Sequence, residues 1–309
     1  MLRLVISGGF PMTGRCVIPA LAEEFQQLYI APGSPGAEGQ YSSVVRSGMD
    51  AENKKLAHFI MDERDVYELA ETPAGAVRVI TLFQRADFET VLCCIGNRCR
   101  PMEIARTCGA QILDGVVCWK KIREHEQAFL QSGGSEEDWA EEFHRFTSDR
   151  RNYLDALIVL SVGPYSAVPA EETGFSEEEW LAYSHSIRKY HECTHFLCRR
   201  MFPEQIEPLW DELVADAAGL YAAFGRYDIP LAERFLGIRE GRYVGGRLQN
   251  YVPKEEYEQL SAIASQIHSL LPEIEKIAVD FTGSSPFDLA IALEKRQNEM
   301  LPPCLQKKS

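Results

Sequence analysis

Tyr190-His191-Glu192-Cys193-Thr194-His195-Phe196 sets two histidines four residues apart, with a glutamate directly after the first. This is the His-Glu-x-x-His spacing that holds zinc when it lies on a helix. At 3.6 residues per turn, positions four apart share one face, so both imidazoles can reach a single ion about 2 Å from each nitrogen. Glu192 falls one step round, beside such an ion without binding it. The pattern is short, and in a chain with seven histidines its surroundings decide what it means. Upstream, Ser176-Glu177-Glu178-Glu179-Trp180 reads as a helix start, with Ser176 as N-cap, Glu179 closing a capping box and an acidic first turn that suits the helix dipole. No proline or glycine follows until Phe202-Pro203 ends the run after Met201, so the motif lies well inside a helix. Trp180, Tyr183, Ile187, Tyr190, Thr194, Leu197 and Met201 alternate spacings of three and four, which predicts the buried face.

A catalytic zinc site takes three protein ligands and leaves a fourth position open. Trp210-Asp211-Glu212-Leu213-Val214-Ala215-Asp216 supplies the best third ligand, Glu212. Sixteen residues separate it from His195, room for Phe202-Pro203 to break the chain and for a second helix to return antiparallel. One turn beyond Glu212, Asp216 shares its face and can accept the spare N–H of a ligand histidine. Ala215, Ala217, Ala218 and Gly219 would let the two helices pack closely. An acidic, solvated helix face is the plainer reading of Glu212 alone. Cys198, seven residues after His191, is a competing ligand, but three ligands from one straight helix converge poorly.

Taken together, the His191-to-His195 block and the Glu212-to-Asp216 block resemble the gluzincin clan of zinc metallopeptidases, over residues 176–225. The resemblance implies a zincin-like fold, Zn2+ as cofactor, His191, His195 and Glu212 as ligands, Glu192 as general base and Asp216 as the partner of a ligand histidine. The implied activity is zinc-assisted hydrolysis of an amide, most simply in a peptide. A small non-peptide amide is the alternative substrate, and a non-catalytic zinc-clamped binding protein is the alternative role. A strand before the motif helix commonly offers its edge to an extended peptide in that architecture. Residues 154–162 are the strongest strand signal in the chain, and residues 161–167 can line a cleft. Their apolar density equally suits a central core strand.

Downstream, residues 239–251 are glycine-rich, cationic and aromatic. Glycines allow close backbone approach, and arginine and tyrosine donate to carboxylates and oxyanions. Arg247 and Tyr243 are therefore the expected catalytic donors, with Tyr251 behind them; a turn with surface arginines is the plain alternative. His268, in a helix over residues 255–271, and His185, off the motif face, read as structural.

The chain has 309 residues, 45% hydrophobic and 25% charged, the composition of a globular protein of one large or two modest domains. We expect an α+β fold: a mixed sheet from the N-terminal half, residues 1–150, of unassigned role, and a mainly helical region, residues 151–309, carrying the metal helix. A formal charge of −14 repels nucleic acid and anionic membranes and suits cationic or neutral partners; the peptide or small amide expected as partner is what the resemblance implies. A short apolar start and no run of about 18 apolar residues predict a cytoplasmic protein. The nine cysteines follow no disulfide framework, and Cys94-Ile-Gly-Asn-Arg-Cys99 has no zinc spacing, so reduced, buried thiols are expected. Strands are expected over residues 2–6, before a plain turn at Gly8-Gly9, and over 77–83. Helices are expected over 19–29, 120–130, 135–146 and 286–300, a buried segment over 112–119, and a long loop over 31–47. Residues 88–95 fit a helix or a strand.

Overall fold

The computed structural model describes residues 11–205 and 207–301. The expected strand at residues 2–6, its glycine turn and the tail after Leu301 lie outside them. The chain divides into two compact units, Met1–Leu69 with Arg78–Ser161, and Ala70–Val77 with Val162–Ser309. The fold is α+β with a mixed five-stranded sheet. Among the described residues no helix is long and apolar enough to cross a membrane.

The elements begin β1 Met12–Thr13, α1 Val17–Glu24, α2 Ala37–Tyr41, β2 Val66–Thr72, β3 Gly75–Leu82, α3 Arg85–Val91, β4 Ala110–Val117, α4 Trp119–Gln131, α5 Trp139–Thr147 and β5 Leu154–Ser161. The sheet runs β1-β2-β3-β5-β4. β5 pairs in parallel with β3 and antiparallel with β4, so both of its backbone edges are hydrogen bonded and no peptide can add to it. Of the two readings of this segment, the central core strand is the one found. The reason is visible in its own residues: Asp155 to Ser161 are all buried, and a run apolar on both faces belongs in the middle of a sheet. Val17, Ile18, Leu21, Phe25, Ile80, Phe88, Leu157 and Val159 are among the core residues of this unit.

Several boundaries differ from expectation. The first helix stops at Glu24, because Phe25 leaves the helical region at φ −124, ψ 79. Residues 31–47 are not simply loop: α2 and a π-turn over Ser42–Arg46 form there, with Ala37, Val44 and Val45 buried in the core. Residues 88–95 are helical, in α3 and the turn after it. Among the described residues no cysteine lies in a disulfide, and Cys94 and Cys99 are fully buried.

The second unit contains α6 Glu177–Met201, α7 Pro208–Phe224, α8 Ile229–Leu236, β6 Ile238–Arg239, β7 Arg242–Tyr243, α9 Leu260–Asp280, α10 Pro286–Glu294 and α11 Gln297–Met300. Ser176 caps α6, with the capping box to Glu179 closed in both directions. Trp180, Ile187, Thr194 and Leu197 are buried as expected, whereas Met201 is 43% exposed and Cys198 takes the last inward position. α7 starts where Glu207 accepts from the amides of Leu209 and Trp210. It lies against α6 so closely that a Cβ on Gly219 would meet the Ile187 carbonyl oxygen at 2.7 Å. α9 runs past Leu271, through Pro272, to Asp280. The expected C-terminal helix breaks into α10 and α11.

Candidate metal centre

The antiparallel packing of α6 on α7 brings the two motif blocks together. The Nε2 atoms of His191 and His195 are 3.0 Å apart. Glu212 Oε2 lies 3.5 Å from His191 Nε2, and Oε1 lies 3.5 Å from His195 Nε2. Ligand atoms on a tetrahedral ion with bonds of about 2.1 Å are about 3.4 Å apart, so the triangle has the right size before any movement. Both histidines are 5% exposed, and the Glu212 side chain keeps 16% of its surface. Glu192 is half-buried, one step round α6, and among the described residues its carboxylate has no hydrogen-bond partner.

Each imidazole turns its other nitrogen to a carboxylate. His195 Nδ1 is 2.8 Å from Asp211 Oδ2, and His191 Nδ1 is 3.0 Å from Asp216 Oδ1. With a proton on each Nδ1, both Nε2 lone pairs and the Glu212 carboxylate face one point. Three electron-pair donors converging in this way, two of them on buried residues, could hold a cation. Burial pulls the His195 pKa down, but the Asp211 hydrogen bond and the charges of Asp211, Glu212 and Glu192 outweigh it and raise it to about 9. The site thus attracts a positive charge even when that charge is a proton.

Around His191 the support is denser. The Tyr165 hydroxyl is 2.8 Å from His191 Nδ1, donates to Asp216 Oδ1 at 2.7 Å and accepts from Arg247 Nη1 at 2.9 Å. Arg247 also donates through Nη2 to Asp216 Oδ2. Burial raises the Asp216 pKa, but the Arg247 charge and His191 outweigh it and hold the carboxyl well below its ordinary value. Burial pushes the Tyr165 phenol well above its ordinary value, so it remains a hydroxyl.

Tyr165 sits in a constrained loop. The next two residues, Ser166 and Ala167, have left-handed φ of 52° and 58°, a conformation unfavourable for non-glycine residues that persists only where surroundings impose it. Here Ser184 Oγ accepts the Tyr165 amide, Ser166 Oγ donates to the Phe235 carbonyl, and Arg188 donates to the carbonyls of Gly163 and Pro164. The turn Arg247–Tyr251 carries Arg247 and Tyr251, whose hydroxyl donates to Glu212 Oε2 at 2.8 Å. This segment approaches the end of α8 at a glycine pair, where a Cβ on Gly246 would meet Gly237 Cα at 2.8 Å.

His191, His195, Glu212, Asp216 and Arg247 therefore gather at one place. Arg247 is there as a clamp on Asp216 and Tyr165. Tyr243 is not: its hydroxyl bonds the backbone of Gly246, as donor to the carbonyl and acceptor from the amide, at 3.0 Å each. Tyr251, whose ring lies 6.0 Å from the Arg247 guanidinium, occupies the place expected for Tyr243. Sequence reasoning missed Asp211 and Tyr165. Asp211 had a signal, since it stands beside Glu212 in the acidic block; Tyr165 had only its place in residues 161–167, expected to line a cleft, and the folded loop alone brings it to His191. His268 bonds Glu233 at 2.6 Å, outside this cluster. No curated protein and no solved structure matches the chain. Residues 17–284 match the model of a family of unknown function, DUF7005, and the chain belongs to that family.

Proposed function

We propose that this protein is a zinc-dependent hydrolase of zincin type, cleaving amide bonds, most simply in peptides. The observation that carries the reading is the convergence of His191 Nε2, His195 Nε2 and the Glu212 carboxylate beside the partner-free carboxylate of Glu192. A zinc ion held by these three side chains would supply a water whose pKa falls from about 15.7 to about 7, and a Lewis acid for the carbonyl. Glu192 takes that water's proton and returns it to the leaving nitrogen. Asp211 and Asp216 hold the two imidazoles in the tautomer that leaves Nε2 free. Tyr251, kept protonated by burial and placed beside Glu212 Oε2 at 2.8 Å, takes the role of donor to the developing oxyanion in place of Tyr243.

Because β5 has no free edge, a peptide cannot be held by adding to that strand, and this favours a small amide as the second reading. The deciding measurement is zinc content for wild type, His191→Ala, Glu192→Gln and Glu212→Ala, followed by a peptide-library digest. Zinc retained by wild type and Glu192→Gln but lost from both ligand variants, with cleavage by wild type alone, supports the peptidase. Zinc with no peptide cleavage transfers the reading to small amides, and a folded wild type that binds no zinc ends it.

A further inference from the structure

Beside the His191 and His195 pair, three more metal-binding groups meet in the interior of the helical unit. Cys198 on α6, Asp211 on α7 and Glu294 on α10 each offer one ligand atom, all within 4.8 Å of one another, and all three residues are buried. Their exposures are 1%, 8% and 4%. We infer that Cys198, Asp211 and Glu294 form a second cation site, for a thiophilic divalent ion of the zinc, cobalt or cadmium class. This inference does not depend on the hydrolase reading.

Two further observations point to a missing ligand. Asp211 gives Oδ2 to His195 Nδ1, while its Oδ1 is buried with no hydrogen-bond partner. Leaving a buried acceptor unmet costs roughly 1–3 kcal/mol. Thr194 is 0% exposed and its hydroxyl also has no partner. It lies one turn before Cys198 on the same face of α6, the face turned to α10: Tyr190 meets Phe287 there with ring centroids 5.4 Å apart, and Cys198 is hydrogen bonded to Glu294.

The electrostatics agree with the geometry. Burial first, and the Asp211 charge second, raise the Glu294 pKa to about 7. Burial and then the Glu294 charge push the Cys198 thiol far above its ordinary value. Without a cation, protons must fill the space between these groups; a divalent ion replaces them and neutralises the thiolate and carboxylates together. One sulfur with two carboxylate oxygens selects against magnesium and calcium, which prefer oxygen alone. Asp211 then serves two centres, with one oxygen on the second ion and the other on His195, so a single imidazole separates the sites.

Cobalt distinguishes them, since two imidazoles and a carboxylate contain no sulfur. The full chain, stripped of metal and kept reduced, is titrated with Co2+ while bound equivalents and near-ultraviolet thiolate-to-cobalt absorption are followed. Wild type should develop that band together with one equivalent of cobalt. Cys198→Ser should lose both, Glu294→Gln should need at least tenfold more cobalt to reach the same band, and Cys193→Ser should behave as wild type. Folded wild type without the band overturns the site, whether or not cobalt occupies His191, His195 and Glu212. A band that survives Cys198→Ser overturns it equally. A band with no other bound equivalent sinks the hydrolase reading and leaves this one standing.

Discussion

His191 and His195 each turn Nδ1 toward a carboxylate, Asp216 at 3.0 Å and Asp211 at 2.8 Å, and the chemistry of the pair follows from where those protons sit. His195 has its pKa raised to about 9, so below that pH it holds a proton that a metal must displace. Zinc affinity should therefore rise with pH up to about 9 and fall roughly tenfold per unit below it, measurable by competition with a chromophoric chelator whose own protonation is corrected for. Tyr165→Phe removes the hydroxyl shared by His191, Asp216 and Arg247 while keeping the ring. The expectation is a loss of about tenfold in zinc affinity, at the low end for outer partners of metal ligands, with an unchanged circular dichroism spectrum. Equal affinity in both proteins would mean that Asp216 alone orients His191. At this scale the candidate histidine ligands were legible, because i, i+4 spacing on a helix is a local fact. Tyr165, Arg247 and Tyr251 stand 26, 56 and 60 residues from His191, and nothing local encodes that they meet.

Two helices set the geometry, and each has a position where it can be tested. Ser176→Ala removes the cap of α6, an exposed change away from the site, and should lower stability by about 1 kcal/mol in urea unfolding while leaving zinc affinity as it was. Gly219→Ala should lower both stability and zinc affinity. Its Cβ would meet the Ile187 carbonyl oxygen at 2.7 Å, so α7 must move off α6 at a cost of about 1–3 kcal/mol, carrying Glu212 away from the histidines. A Gly219→Ala protein with wild-type zinc affinity would show that Glu212 does not depend on this close approach. The capping box and the proline stop made α6 readable to within a residue at both ends. Residues 31–47 were not readable: their glycines, serines and prolines signal turns, whereas the helical form buries Ala37 in α2 and Val44 and Val45 in the π-turn after it.

Across the whole chain, both clusters of potential ligands found among the described residues lie in the second unit, three side chains each. Metal binding should therefore protect that unit selectively. Zinc at a hundred times its Kd adds about 2.7 kcal/mol to whatever folded unit holds it. Hydrogen exchange with zinc against chelator should slow amides in α6 and α7 and leave those of β3, β4 and β5 unchanged. Uniform protection of both units would mean that they unfold as one.

The sequence by itself determined the helix that carries the His-Glu-x-x-His motif, its cap and stop, the paired acidic block and the α+β division, because each rests on a periodicity or a terminus that neighbouring residues encode. Only the tertiary structure decided that β5 is central, that Tyr251 and not Tyr243 reaches Glu212, and that Cys198 joins Asp211 and Glu294. Those outcomes depend on which faces of distant segments are buried against one another. That choice is made by packing over the whole unit, and no short stretch of chain carries it.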